Sequence, residues 1–483
     1  MRLARTTLVQ SPLVQSTLAQ STLALSTLAL STFALSAIVA CGPAPGPKPP
    51  EPTPVERTKP PPHARRAVPT RPVKVTFARF FEDRTLRVDL THRGTARAES
   101  YQVTGLVKEG PWAGSRTKVI DPFPYGAHRF EIRDVATGAL LYSRGYASLF
   151  SEWQTTPEAR KITMGFSESL RLPLPRAPFY LRIHSRTPKG KVRQVLRRRL
   201  DPRQGPGTKV RSHRPLPGLA TRILHKSGPV QTNLDILIIG DGYTPADREK
   251  FWRDARRFTR VMLADRTYGA HKDKLNIRAL YVPSVDSGVS EPRKGRILNT
   301  PLGLSFNTFG SARYMMTVKN LALRRAAAHA PYDALYLMGN TSRYGGGGIY
   351  NLYSTFPSDN EYDAYVFAHE FGHGFAGLAD EYYTSEISTE NMYSATVEPT
   401  DPNITAFVGG RFKWKKMVRP GTPIPTPPTA RYKNVVGLFE GAGYKAKGLY
   451  RAQLDCKMKG KGHVDFCKVC ARAIARMIRL YSE

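Results

Sequence analysis

From residue 73 to about residue 200, apolar and polar side chains alternate in short runs: KVTFARFF, RTLRVDLTH, HRFEIRDV and FYLRIHSR. Turn-forming stretches such as DVATGALLYSRGY separate them. Period-two alternation with frequent turns predicts a β-sandwich, because each strand then has one face to bury and one to leave wet. A basic stretch rich in Gly and Pro, RRRLDPRQGPGTKVRSHRPLPG, interrupts this pattern and reads as a linker over 201–224. Beyond it the rhythm changes. LDILIIGDGYT is a continuous apolar run ending in a glycine turn, as expected of a buried strand, and Thr244-Pro245-Ala246-Asp247 then supplies a helix start. Strand-like NIRALYV and DALYLM flank ARYMMTVKNLALRRAAAHA, whose apolar spacing is helical. The expected fold class is therefore α+β multidomain, with a β-rich, sandwich-like domain over 73–200 followed by an α/β domain over 225–483.

Residues 1–72 follow neither pattern. Arg2 and Arg5 precede a five-residue repeat, LVQSP LVQST LAQST LALST LALST FALSA, which closes in IVAC. A basic start, an apolar body and small residues before a break describe an export signal over 1–41. Only residues 23–40 are strongly apolar, which is short for a permanent membrane span. Ile38-Val39-Ala40-Cys41 resembles the bacterial lipobox, with isoleucine where leucine is usual, so Cys41 is the expected lipidation site. An ordinary cleaved signal and an uncleaved anchor are the alternatives. Several acyl chains on one cysteine would hold the protein to a membrane stably. Residues 42–72 are mostly proline and charge, a composition that packs no core and forms an extended tether. The expected location is the bacterial cell envelope, as an outer-membrane or cell-surface lipoprotein.

Composition changes the picture in one respect. The chain has 483 residues, 73 Lys and Arg against 38 Asp and Glu, and a formal net charge of +35. Nucleic acid is not an expected partner: the cations are scattered, and no helix-turn-helix, RNP or zinc-finger spacing occurs. The charge reads as a solvated surface suited to anionic envelope polymers or acidic substrates. A monomer is expected.

The chemistry is concentrated in one stretch, YDAYVFAHEFGHGFAGLADEYYTS. His369 and His373 are four apart, so on a helix both imidazoles lie on one face and reach one ion. Zinc accepts two neutral imidazoles and keeps positions for a third ligand and a water, and Glu370 stands ready to take a proton from that water. The upstream YVFA supplies an apolar face that would bury the helix. On a continuous helix Asp380 would lie roughly 10 Å along the axis from His373, out of reach. Gly377 can take the left-handed conformation and turn the chain back, bringing Asp380, or alternatively Glu381, to the metal. Asp380 is preferred, and the other acid would orient an imidazole. The expected reaction is hydrolysis of peptide bonds with one catalytic Zn²⁺, protein or peptide as substrate, and Glu370 as general base.

HEFGHGFAGLADEYY resembles the signature of the IgA metallopeptidase family, bacterial zinc endopeptidases related to the metzincins. GDGYTPADREKF, YGGGGIYNLY, EGAGYKAKGLYRAQLDCKMKG and FCKVCARAI are also similar to that family, and GPWAGSR and YSRGYASLFSEWQTTPEA resemble its N-terminal accessory domain. The resemblance covers nearly everything from about residue 73 and implies a metzincin-like zinc peptidase domain; it does not imply immunoglobulin as substrate. Against the wider metzincin pattern there is one extra residue between His373 and Gly377, which bears on the third ligand alone. DCKMKG matches a metzincin-like Met-turn, making Met458 the residue expected beneath the metal, with an ordinary core methionine as the alternative.

Besides Cys41, the chain holds Cys456, Cys467 and Cys470. A disulfide from Cys456 to Cys467 or Cys470 is expected, leaving one thiol; a small structural zinc site that includes His463 is the alternative. The four glycines of RYGGGGIYNLYST permit close backbone approach, and a strand leaving them could pair with an extended peptide at the lip of a cleft; a flexible loop is the other reading.

Overall fold

The computed structural model describes residues 74–204, 210–383, 392–462 and 464–482. The export signal, Cys41, the tether and His463 lie outside the described residues. The N-terminal half is built from β1 (Phe81–Gly94), β2 (Glu99–Lys108), β3 (His128–Asp134), β4 (Leu140–Tyr146), β5 (Met164–Pro175), β6 (Phe179–Arg186) and β7 (Val192–Leu200). They form two four-stranded sheets, ordered β5-β1-β2 with the short β8 (Arg211–Ser212) at its edge, and β4-β3-β6-β7. Strict alternation is visible in β6, where every second side chain is buried. Leu86, Val88 and Leu90 of β1 meet Phe130 and Ile132 of β3 and Leu181 of β6 in one apolar cluster, so two sheets share one core.

The C-terminal half centres on a six-stranded sheet. β9 (Ala220–His225), β10 (Leu234–Asp241), β11 (Leu275–Tyr281), β12 (Ala334–Gly339), β13 (Gly347–Ile349) and β14 (Tyr353–Pro357) run in the order β13-β14-β12-β10-β11-β9. β11, β10, β12 and β14 are parallel, while β9 and β13 close the edges antiparallel. β10 and β11 are buried at every residue, as a parallel strand covered on both faces must be. A small antiparallel sheet of β15 (Ile404–Thr405), β16 (Phe439–Ala442) and β17 (Lys445–Arg451) follows, then the C-terminal helix Lys468–Ser482.

Two local expectations meet tertiary structure. The helix expected to start at Thr244 begins three residues later than Pro245, running Arg248–Ala264 with Asp247 at its N-cap, because Thr244 closes a turn first, its hydroxyl donating to Asp247 Oδ2 at 2.8 Å. The helix expected across 312–330 is confined to Asn320–Ala327. Residues just before it are drawn into bridges instead: Tyr314 pairs with Gly346 and Met316 with Ser305, and both methionines, Met315 and Met316, are buried. Pairing with the glycine-rich segment outweighs local helical periodicity here.

Candidate metal centre

The helix Asp363–Ala376 follows β14 and is enclosed on nearly all sides: Val366, Phe367, Phe371 and Phe375 are all buried. Tyr336 of β12 stacks on Phe367 and Phe371 with ring centroids 4.6 and 5.3 Å away. Its glycines are contact points. A Cβ on Gly374 would lie 2.2 Å from Ser354 Oγ, and one on Gly348 of β13 would lie 2.3 Å from the Glu370 carbonyl, so strands β13 and β14 press directly on helix backbone. Gly377 ends the helix at φ 64°, ψ 30°. Its amide donates to the His373 carbonyl at 3.0 Å and the next amide, of Leu378, donates to the Gly372 carbonyl at 3.1 Å, the paired bonds of a left-handed glycine terminus.

That turn brings Asp380 back to the histidines. His369 Nε2 and His373 Nε2 are 3.1 Å apart, and Asp380 Oδ1 is 3.2 Å from the first and 3.3 Å from the second. The outward ring nitrogens are already committed: His369 Nδ1 donates to the Lys457 carbonyl at 2.9 Å and His373 Nδ1 to the Leu378 carbonyl at 2.6 Å. A carbonyl only accepts, so each Nδ1 carries its proton, and each ring turns its Nε2 inward, where a lone pair is offered once that nitrogen is deprotonated. Tyr444 donates its hydroxyl to Asp380 Oδ2, while Asp380 Oδ1 meets no hydrogen-bond donor among the described residues. With both Nε2 atoms deprotonated, these three acceptors facing one point form a donor set that can hold a cation.

The carboxylate and the two rings attract one another strongly. Burial opposes ionisation of Asp380, yet the imidazolium form of His373, and then His369, holds its carboxyl far below the usual carboxylate range. Burial pushes His373 down, but the Asp380 carboxylate outweighs it and lifts the ring to about 10. Burial raises Glu370, and the two histidines pull it partly back. One ligand atom from each of His369, Glu370 and His373 fits within a 4.8 Å cluster, which puts the Glu370 carboxylate beside the histidine pair.

Met458 is fully buried under this helix: a Cβ on Gly372 would lie 3.0 Å from its Sδ. The Met458 carbonyl accepts the Glu381 amide at 2.8 Å, so one turn holds His369 through Lys457 and the Asp380 segment through Met458. Glu381 faces away from the histidines. Its Oε1 lies 3.1 Å from Cys470 Sγ, so the acid weighed as an alternative third ligand stands among the cysteines, because adjacent residues of an extended chain point to opposite sides. The expected disulfide is corrected: Cys456, Cys467 and Cys470 are all free and buried, with Cys456 and Cys470 Sγ atoms 3.7 Å apart. That separation is well beyond the ~2.05 Å of an S–S bond.

Sequence reasoning missed several neighbours. Tyr444 is 64 residues from Asp380, Tyr365 places its hydroxyl 3.2 Å from His369 Nδ1, and nothing in the motif singles out either tyrosine. Glu152 comes from the N-terminal half, on the helix Leu149–Trp153, where it accepts the Tyr314 hydroxyl; burial lifts its carboxyl to about 7. It lines the same cleft of about 910 Å³ as His369, Glu370, His373 and Asp380.

These features define a cleft, walled by both halves of the chain, that gathers a candidate metal-ligand cluster. Residues 223–432 and 428–478 match the family described as IgA Peptidase M64, and residues 76–197 match that described as Peptidase M64 N-terminus. The chain belongs to the IgA Peptidase M64 family, a family of metallopeptidases. No curated protein matches it.

Proposed function

We propose that the chain is a zinc-dependent endopeptidase of metzincin-like architecture, exported and tethered to the cell envelope through a lipidated Cys41. His369, His373 and Asp380 hold the metal and Glu370 is the general base. The observation that carries this reading is the triangle of Nε2, Nε2 and Oδ1 atoms with sides of 3.1, 3.2 and 3.3 Å. Bonds of ~2.0–2.1 Å at tetrahedral angles set three ligand atoms roughly 3.3 Å apart, and two imidazoles with one carboxylate are a donor set zinc accepts. Zinc, when bound, supplies Lewis acidity that brings the pKa of water near neutrality and polarises a carbonyl. The rest is done by the chain itself. Tyr444 fixes Asp380 by one oxygen so that the other faces the histidines; the Lys457 and Leu378 carbonyls fix both ring tautomers. Glu370, raised by burial, takes up a proton beside His369 and returns it to the leaving amine nitrogen. The edge strand β13 lines the cleft and offers backbone to an extended peptide.

The test is elemental analysis of the purified chain together with digestion of casein and a peptide library, with and without chelator. Glu370→Gln is expected to retain the metal at the histidine site and lose proteolysis, whereas His369→Ala loses that metal as well as proteolysis. Absence of metal at the histidine site would make the protein a surface-binding pseudoenzyme; metal without proteolysis would point to a hydrolase of a non-protein envelope substrate. Loss of palmitate labelling in Cys41→Ala tests the anchor separately.

A further inference from the structure

Behind the histidine site lies a second convergence. Cys456 precedes the Met458 turn, Cys467 and Cys470 stand at the start of the C-terminal helix, and Glu381 reaches them from the segment that carries Asp380. All four side chains are buried and their ligand atoms fall within 4.8 Å of one another. Cys456 Sγ and Cys470 Sγ are 3.7 Å apart; Glu381 Oε1 is 3.1 Å from Cys470 Sγ and 3.8 Å from Cys467 Sγ. A tetrahedral ion with bonds of ~2.3 Å to sulfur and ~2.0–2.2 Å to oxygen sets sulfurs roughly 3.8 Å apart and sulfur and oxygen roughly 3.5 Å apart.

The surroundings are those of ligands rather than of packed thiols. The sulfurs accept backbone amides: Cys456 Sγ from Met458 at 3.4 Å and from Cys467 at 3.2 Å, and Cys467 Sγ from Cys470 at 3.4 Å. Such amides orient thiolates toward an ion. Asn403 donates to Glu381 Oε1 at 3.0 Å and fixes the carboxylate, whose Oε2 finds no partner among the described residues. Two cysteines with two residues between them, at a loop entering a helix, are a spacing that zinc sites use.

We propose that Cys456, Cys467, Cys470 and Glu381 bind a second divalent ion of zinc-like, thiolate-preferring character, distinct from the ion at the histidines. Four protein ligands with no open position make it a structural site. Its place explains a use. Asp380 and Glu381 are consecutive, one directed at the histidines and the next at the cysteines, and the Glu381 amide is held by Met458. The ion therefore clamps together the Asp380 segment, the Met458 turn and the C-terminal helix. Each thiol that ligates gives its proton to solvent, so occupancy strengthens as pH rises.

The full chain provides the test. Wild type is expected to carry two ions, and the His369→Ala/His373→Ala variant one. After cobalt replacement that variant keeps the thiolate-to-cobalt charge-transfer absorption of a tetrahedral site. Cys467→Ser/Cys470→Ser loses that absorption. Should it fail to fold, wild type alone suffices: peptide mapping after alkylation in denaturant finds Cys456, Cys467 and Cys470 as free thiols, protected in the native chain until a chelator is added. A disulfide among the three, or a double-histidine variant that stays metal-free after incubation with zinc, overturns the proposal. Neither result touches the histidine site, whose failure would show instead as a wild type with a single, thiolate-bound ion.

Discussion

Gly377 is where one backbone conformation decides the metal centre. At φ 64° a residue with a Cβ costs roughly 1–2 kcal/mol, and the Cβ itself would sit 3.2 Å from Tyr350 Cδ2, on a buried ring that can yield only a few tenths of an ångström. The chain can relieve this only by rotating Leu378, whose carbonyl takes the His373 Nδ1 proton at 2.6 Å, and with it the approach of Asp380. Gly377→Ala is therefore expected to destabilise the metal-loaded protein by about 2 kcal/mol. Where about 1 kcal/mol of that falls on binding, metal affinity drops roughly fivefold. Gly377→Asn is the control, because asparagine tolerates the left-handed region and ends helices this way. The expected order is Gly, then Asn, then Ala, in both denaturant midpoint and competition against a chromophoric chelator. An alanine variant within ~0.3 kcal/mol of wild type would refute the strain argument. One that loses stability yet binds metal as tightly as the asparagine variant would refute its transmission to the ligands.

Three further outcomes follow from the same geometry. Tyr444→Phe removes the donor to Asp380 Oδ2 and is expected to lower metal affinity roughly 10- to 100-fold with little change in far-UV circular dichroism, measured by chelator competition. Burial opposes ionisation of Glu99, but hydrogen bonds from His92, Arg193 and Ser185 hold its carboxyl at about 2, below its ordinary 4.5. Its contribution is complete above 4.5 and lost as pH falls toward 2, so Glu99→Gln should flatten the acid limb of a melting-temperature profile in that window. A chain beginning at residue 210 is expected to be poorly soluble and to lack the near-UV circular dichroism of the 74–483 chain, because it would uncover apolar surface now packed against the N-terminal half.

How far the sequence carries depends on how local each cause is. The four-residue histidine spacing and the glycine stop are local, and the helix and its turn lie where those residues imply. Alternation in FYLRIHSR is equally local, since a half-buried strand has to show it. The direction of two neighbouring acids is different: Asp380 and Glu381 are chemically alike, and partners distant in sequence, Tyr444 for Asp380 and Asn403, Met458 and the cysteines for Glu381, decide which faces the histidines. Pairing of Tyr314 and Met316 with distant partners likewise turned a helical pattern into bridges. The three cysteines are plain in the sequence, but the 3.7 Å between the Cys456 and Cys470 sulfurs and the approach of Glu381 are set by the fold, which spacing does not encode.

The two halves cannot be treated as enzyme and appendage. Leu149, Phe150, Trp153 and Phe166 of the N-terminal half belong to the same apolar cluster as Leu237, Ile239, Leu337 and Ile349 of the six-stranded sheet. At about 1.5–3 kcal/mol for each large side chain buried, that shared cluster outweighs any surface contact between them. Hydrogen bonds carry the junction onward to the metal helix: the Gly145 carbonyl accepts Asn351 Nδ2 at 2.9 Å, and the Asn351 amide donates to the Gly374 carbonyl at 2.8 Å. Gly374 is the residue after His373. The wall that brings Glu152 to the cleft is thus also a brace one residue from His373, the proposed metal ligand, and the same packing that shapes the cleft holds the helix that carries the histidine pair.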